Sequence, residues 1–138
     1  MNAKTKAKYD AILKEADVAA TKAADAQLKK LQGQGPAFAV VENSKSDGIF
    51  YNRNKPTRVV GTMLDVCGFA WVVIENARTG FAQYVKKIER GGNGYYGGMS
   101  ISARTMRQEM SVNQEAARAM ADVFEKYGIK AYTQSRID

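Results

Sequence analysis

The sequence contains no histidine, and that absence excludes more chemistry than any other feature of its composition. Without imidazole there is no Ser-His-Asp or Cys-His nucleophile system, no histidine acid–base catalysis and no histidine-containing zinc site. Cysteine is nearly as scarce, since Cys67 stands alone. One thiol can build neither an internal disulfide nor a thiolate-only zinc site, so the chain fits a reducing compartment and a cytoplasmic location is expected. Long apolar runs are missing too. The longest, Phe69 to Ile74, falls far short of the about 18 residues that a spanning helix needs. The first ten residues, MNAKTKAKYD, carry three lysines and lead into no apolar stretch, so neither a secretory leader nor membrane insertion is expected.

What remains suits binding better than catalysis. The chain has 138 residues, 45% of them apolar and 25% charged, which fits one domain with a single core. Its formal charge of +7 favours phosphate-bearing or otherwise acidic partners. Acidic residues are scattered, at Asp65, Glu75, Glu89, Glu109, Glu115, Asp122 and Glu125, without the clustering of a two-metal site. Val73 occupies the position where a thiol phosphatase would carry an arginine after Cys67. No catalytic residue, metal or cofactor is therefore expected, and the chain reads as a non-enzyme.

Residues 3 to 32 are dominated by Ala, Lys, Gln, Asp and Leu, contain neither Gly nor Pro, and predict one long helix. Tyr9, Ile12, Leu13, Leu28 and Leu31 sit towards its ends, with Ala16, Ala19, Ala20, Ala23, Ala24 and Ala26 between them. Such a helix either docks closely on another surface, its own copy included, or stands out as a solvated arm. Residues 1–33 are accordingly set apart as an arm or oligomerisation element, with residues 37–138 as the globular domain. Gly33, Gly35 and Pro36 stop the helix.

Short strands are expected at Phe38 to Val41, Gly48 to Tyr51, Val59 to Leu64 and Phe69 to Glu75. Phe81, Tyr84, Val85 and Ile88 align at helical spacing, with Thr79 placed to cap the start and Gly91 the end. Tyr95 to Ala103 alternates like a strand. A final helix opens on a capping box at Ser111 and Gln114, aligns Val112, Ala116, Ala119, Met120, Val123 and Tyr127, and ends at Gly128. Ile129 to Thr133 close the chain as a strand, before a polar run that either frays or carries a contact at Arg136. The fold class is α+β: a long N-terminal helix, then a mixed sheet packed by two helices, in β-α-β-α-β order over the second half.

The segment Arg90 to Gly98, RGGNGYYGG, is the most unusual in the chain. Glycines let backbone N–H groups approach phosphate, and tyrosines offer faces on which bases stack. Gly92, Gly94 and Gly97 match a dinucleotide-binding pattern literally, but a strand follows where a helix must receive the pyrophosphate, so that reading fails. The candidate ligand-binding residues in this region are Arg90, Gly92, Asn93, Gly94, Tyr95, Tyr96 and Gly97, with Arg104, Arg107 and Arg136 beyond it. Arg53, Lys55 and Arg58 form a second basic cluster suited to phosphate. A plain connector and a solvated loop stand beside these readings. Trp71, within FAWVVI, reads as core, and Cys67 as structural.

Three strings, CGFAWVVI from Cys67, GYYGGMSI from Gly94 and EAARAMADVFEKYGIKAYTQSRID from Glu115, resemble a set of small uncharacterised proteins of tailed bacteriophages. The resemblance covers the second half of the chain. It implies an accessory role in the host cytoplasm: handling of nucleic acid, virion structure or inhibition of host defence. The leading expectation is a non-enzymatic protein that binds nucleic acid through its basic and Gly/Tyr-rich loops. The alternatives are an anti-defence protein that sequesters a small phosphorylated nucleotide or blocks a host protein, and a virion component. The N-terminal helix could join copies into a homo-oligomer.

Overall fold

A helix of 32 residues, α1 (Ala3–Gln34), opens the chain. Asn2 caps it by accepting the Thr5 N–H, and Gly35, at φ 80°, ends it. The computed structural model describes residues 1–43 and 57–138. The expected strand at Gly48 to Tyr51 and the basic residues Arg53 and Lys55 lie outside them. After α1, strands β1 (Phe38–Asn43) and β2 (Thr57–Met63) pair antiparallel as a separate two-stranded sheet. Arg58 belongs to β2, opposite Glu42.

The rest of the chain runs β3 (Gly68–Ile74), α2 (Gly80–Lys87), β4 (Gly91–Asn93), β5 (Met99–Ile101), α3 (Met110–Lys126) and β6 (Ala131–Ile137). The four strands form one sheet in the order β4-β5-β3-β6, antiparallel at every pairing. The α+β class expected from the sequence is what the chain adopts. The mixed sheet and the β-α-β-α-β order are corrected: the order is β-α-β-β-α-β. The cause is β4, which makes a hairpin with β5 and so turns β5 against β3. Strands β5 and β6 run parallel to one another with antiparallel β3 between them, the split β-α-β or ferredoxin-like arrangement.

Other boundaries shift for local reasons. Thr79 does cap α2, accepting the Ala82 N–H, but Gly91 starts β4 rather than ending the helix. The Ser111–Gln114 capping box is absent. Helix α3 starts at Met110 with no capping bond from its own Glu109, and Ser111 N–H donates instead to Asp65 Oδ2 at 2.8 Å. The polar run to Ile137 is a strand, held along its whole length by β3.

The helices cover one face of the sheet. Val72, Ile74, Met99, Ile101 and Ala131 meet Phe81, Val85, Val112, Ala116, Met120 and Phe124 in a single apolar cluster. Helix α1 joins the same cluster through Ile12, Leu13, Ala16, Ala20, Ala24 and Leu31, a stripe at mostly four-residue spacing. Small side chains at its centre bring its backbone close to α3. Gln27 donates to Ser111 at the start of α3 and Lys126 at its end donates to Glu15, so the two helices are antiparallel. Tyr9 adds an edge-on contact with Phe81, 5.4 Å between centroids. The segment set apart from the sequence as an arm thus packs on the domain's own helix. No helix among the described residues is long and apolar enough to cross a membrane.

Candidate functional site

Among the described residues no helix lies on the opposite face of the sheet. Residues 69, 71 and 73 of β3 point there, because Val72 and Ile74 point into the core. Their neighbours on β6 are Arg136, Gln134 and Tyr132, in that order. Phe69 is 48% exposed and Tyr132 41%. The Arg136 guanidinium lies over the Phe69 ring, 5.6 Å from its centroid. Trp71 donates its indole N–H to Gln134 Oε1 at 3.2 Å and is only partly covered. Its assignment to the core is therefore corrected. Both registers of FAWVVI are apolar, so period alone could not tell the packed face from the open one.

A cleft of about 440 Å³ lies at the Phe69 end of this face. Phe69, Trp71 and Arg136 form its sheet side, and Arg104, Thr105, Met106 and Arg107 its other wall. That wall is an irregular segment between β5 and α3 in which Arg104 and Met106 both adopt left-handed backbone, at φ 55° and 58°. The conformation is held by Asn113 of α3, the one buried polar residue among those described. Its amide donates to Gly68 O at 2.9 Å and Arg107 O at 3.1 Å, and its Oδ1 accepts the Thr105 hydroxyl. Met106 is left 94% exposed at the rim. Sequence reasoning missed Phe69, Met106 and Asn113. Only a polar residue at a core-facing position of α3 could have signalled the last.

The arginines differ in their freedom. Arg107 pairs through its Nε with Glu109 Oε2 at 3.1 Å and through its Nη2 with Oε1. Burial pushes the Glu109 pKa up, but the Arg107 hydrogen bond and charge together with two backbone N–H donors outweigh it, and the carboxyl sits below its ordinary value. Arg104 is exposed, with one long contact of 3.4 Å to Glu89 O. Arg136 touches only the Phe69 face among its described contacts.

Arg90 does not join them. It is bound in two-pronged fashion to Asp17 of α1, at 2.7 and 2.8 Å, with its side chain 15% exposed. Its place is structural: it ties α1 to the end of α2. Gly92 and Asn93 are strand residues, and Gly94 to Gly98 form the β4–β5 hairpin loop, closed by Gly94 N–H to Gly98 O at 3.0 Å. That loop folds over Val73, at the end of β3 away from the cleft. Tyr95 and Tyr96, 92% and 84% exposed, stand edge-on to each other at its tip. The structure thus unites Arg104, Arg107 and Arg136 and keeps the glycine-tyrosine loop about 13 Å away along β3.

The site contains cations, aromatic faces and hydrogen-bond donors. Among the described residues no group of three metal-ligating side chains gathers. Comparison with protein-family models, curated proteins and solved structures gives no match for this chain.

Proposed function

We propose that this chain is a non-enzymatic accessory protein of phage type that binds single-stranded nucleic acid across the face of its sheet opposite α2 and α3. The observation that carries the reading is the pairing of exposed aromatic rings with arginines on one surface: Phe69 under Arg136, Trp71 and Tyr132 beside them, and Arg104 and Arg107 at the edge. Flat sheet faces with aromatic side chains receive unstacked bases, while arginines take the phosphates. A duplex hides its base faces, so a single strand is the better fit. Tyr95 and Tyr96 at the far end of β3 extend the same surface along the strand direction.

A single nucleotide is the second reading, favoured by the size of the cleft and the three arginines around it. One titration separates the two. Trp71 is the only tryptophan, so its fluorescence reports directly from the site. A single-stranded oligonucleotide is expected to quench it saturably, with a log–log salt slope of about −2 for three phosphate contacts. Phe69→Ala is expected to weaken binding by about tenfold or more, the usual cost of a lost stacking platform. Quenching by a mononucleotide, with no gain from a longer strand, would favour the second reading. No response to either ligand, or an affinity indifferent to salt, would overturn the first.

A further inference from the structure

The sheet ends on β6, and β6 is complementary to itself. Lys130 O accepts the Glu75 N–H and Asp138 N–H donates to Cys67 O, so even-numbered residues of this strand direct their backbone groups towards β3. The odd-numbered residues Ala131, Thr133, Ser135 and Ile137 therefore direct theirs outward, along the free edge. No strand lies beyond that edge among the described residues. It is long for an exposed edge, lacks proline and carries Ile137 at 66% exposure. Such an edge is a template for another strand.

We propose that the occupant is a second copy of this chain, paired antiparallel about a two-fold axis through Gln134. In that register Thr133 faces Ser135 and Ala131 faces Ile137, each pair exchanging both backbone hydrogen bonds. Tyr132 faces Arg136 on the open side, a ring opposite a cation. Lys130 faces Asp138, so every charge meets an opposite or neutral partner. The other registers are poorer. Centring on Thr133 opposes Lys130 to Arg136, and centring on Ser135 leaves Lys130 and Ala131 unmatched. The opposite edge, β4, is only three residues long and contains two glycines. A closed two-fold pair also leaves no β6 edge for further growth.

This inference is independent of the ligand reading, but it has a consequence for it. The open faces of two copies become one surface, crossed by the row Phe69, Arg136, then Tyr132 of the second copy. The two Trp71–Gln134 pairs meet at the axis.

The test is position-specific cross-linking. Across a non-hydrogen-bonded antiparallel pair the Cα atoms are about 4.5 Å apart, within the range that a disulfide spans. Gln134→Cys, in a Cys67→Ser background, is expected to give a disulfide-linked dimer on mild oxidation. Tyr132→Cys in the same background is expected to stay unlinked, because its counterpart lies about 14 Å away along the strands. Sedimentation of the unmodified protein should show a dimer. Thr133→Pro removes an outward N–H without touching the β3 ladder and should give a folded monomer. Lys130→Glu alone should raise the dimer dissociation constant about tenfold, and adding Asp138→Lys should restore it. A monomer at all concentrations overturns the proposal. So does a dimer indifferent to Thr133→Pro and Lys130→Glu, or one that links through Tyr132→Cys and not Gln134→Cys.

Discussion

Asp65 closes the N-terminus of α3 from outside the helix. Its Oδ2 accepts the Ser111 N–H and its Oδ1 the Val66 N–H, both at 2.8 Å. Burial would raise the Asp65 pKa, but the Ser111 side chain and the two backbone donors more than offset it, holding the carboxyl below its ordinary 3.8.

Removing this cap is expected to cost about 1–2 kcal/mol at neutral pH, as for other helix caps. The effect of Asp65→Ala should depend on pH in one direction. A depressed carboxyl contributes stability that is fully present above its unfolded pKa and is lost as pH falls through the folded value. Denaturant melts of the two proteins should therefore differ at pH 7 and begin to converge only below about pH 4.

The Arg90–Asp17 pair fixes α1 to the second half of the chain across 73 positions. Asp17→Asn leaves a largely covered guanidinium without its counter-charge and is expected to destabilise by about 1.5–3 kcal/mol. In an Arg90→Met background the same change should cost little. A double-mutant cycle by urea unfolding measures the difference. Equal effects in both backgrounds would remove the pair from the account of how α1 is held.

Like Gly94, Gly98 is sterically fixed in the hairpin loop. It sits at φ 74°, and a Cβ there would lie 2.6 Å from a Val73 methyl and 2.7 Å from Ile74 O. Gly98→Ala is expected to lower stability by about 2 kcal/mol or more. Gly92→Ala meets nothing within 4 Å and should be nearly neutral. Thermal melts of the two variants provide the contrast.

Glu109 holds Arg107 at the rim of the cleft, and on the proposed reading it is a brake on anion binding. Glu109→Gln removes one negative charge and releases the guanidinium. The variant is expected to bind a single strand about two- to fivefold more tightly at low salt, with the gain fading as ionic strength rises. Unchanged or weaker binding by Trp71 fluorescence would mean that Arg107 does not reach the ligand.

Side-chain periodicity made part of this fold legible. Helices α2 and α3 show it plainly, since Phe81, Tyr84 and Val85, or Val112, Ala116 and Met120, can share a face only at helical spacing. The elements that escaped are those whose definition is backbone. Strand β4 is Gly-Gly-Asn and has almost no side-chain pattern to read, yet it decides the topology of the sheet. Strand β6 was legible at its start, up to Thr133, but its polar second half was not, because it borders solvent at the edge and on the open face. The site divides in the same way. Arginine-rich stretches pointed towards Arg104, Arg107 and Arg136, whereas Arg90 looked identical in sequence and is occupied by a carboxylate far away in the chain. The α3 cap was misassigned for a similar reason, since Asp65 lies 46 positions from its partner.

The position of α1 against α3 has a consequence for the order in which the molecule assembles. The alanine stripe has no partner within the first third of the chain: Gln27 waits for Ser111, and Glu15 waits for Lys126. During synthesis the helix has strong intrinsic propensity but an uncovered face until the residues of α3 have emerged and packed on β3 and β6. Chains released before that stage expose the stripe and become clients for chaperones or proteases.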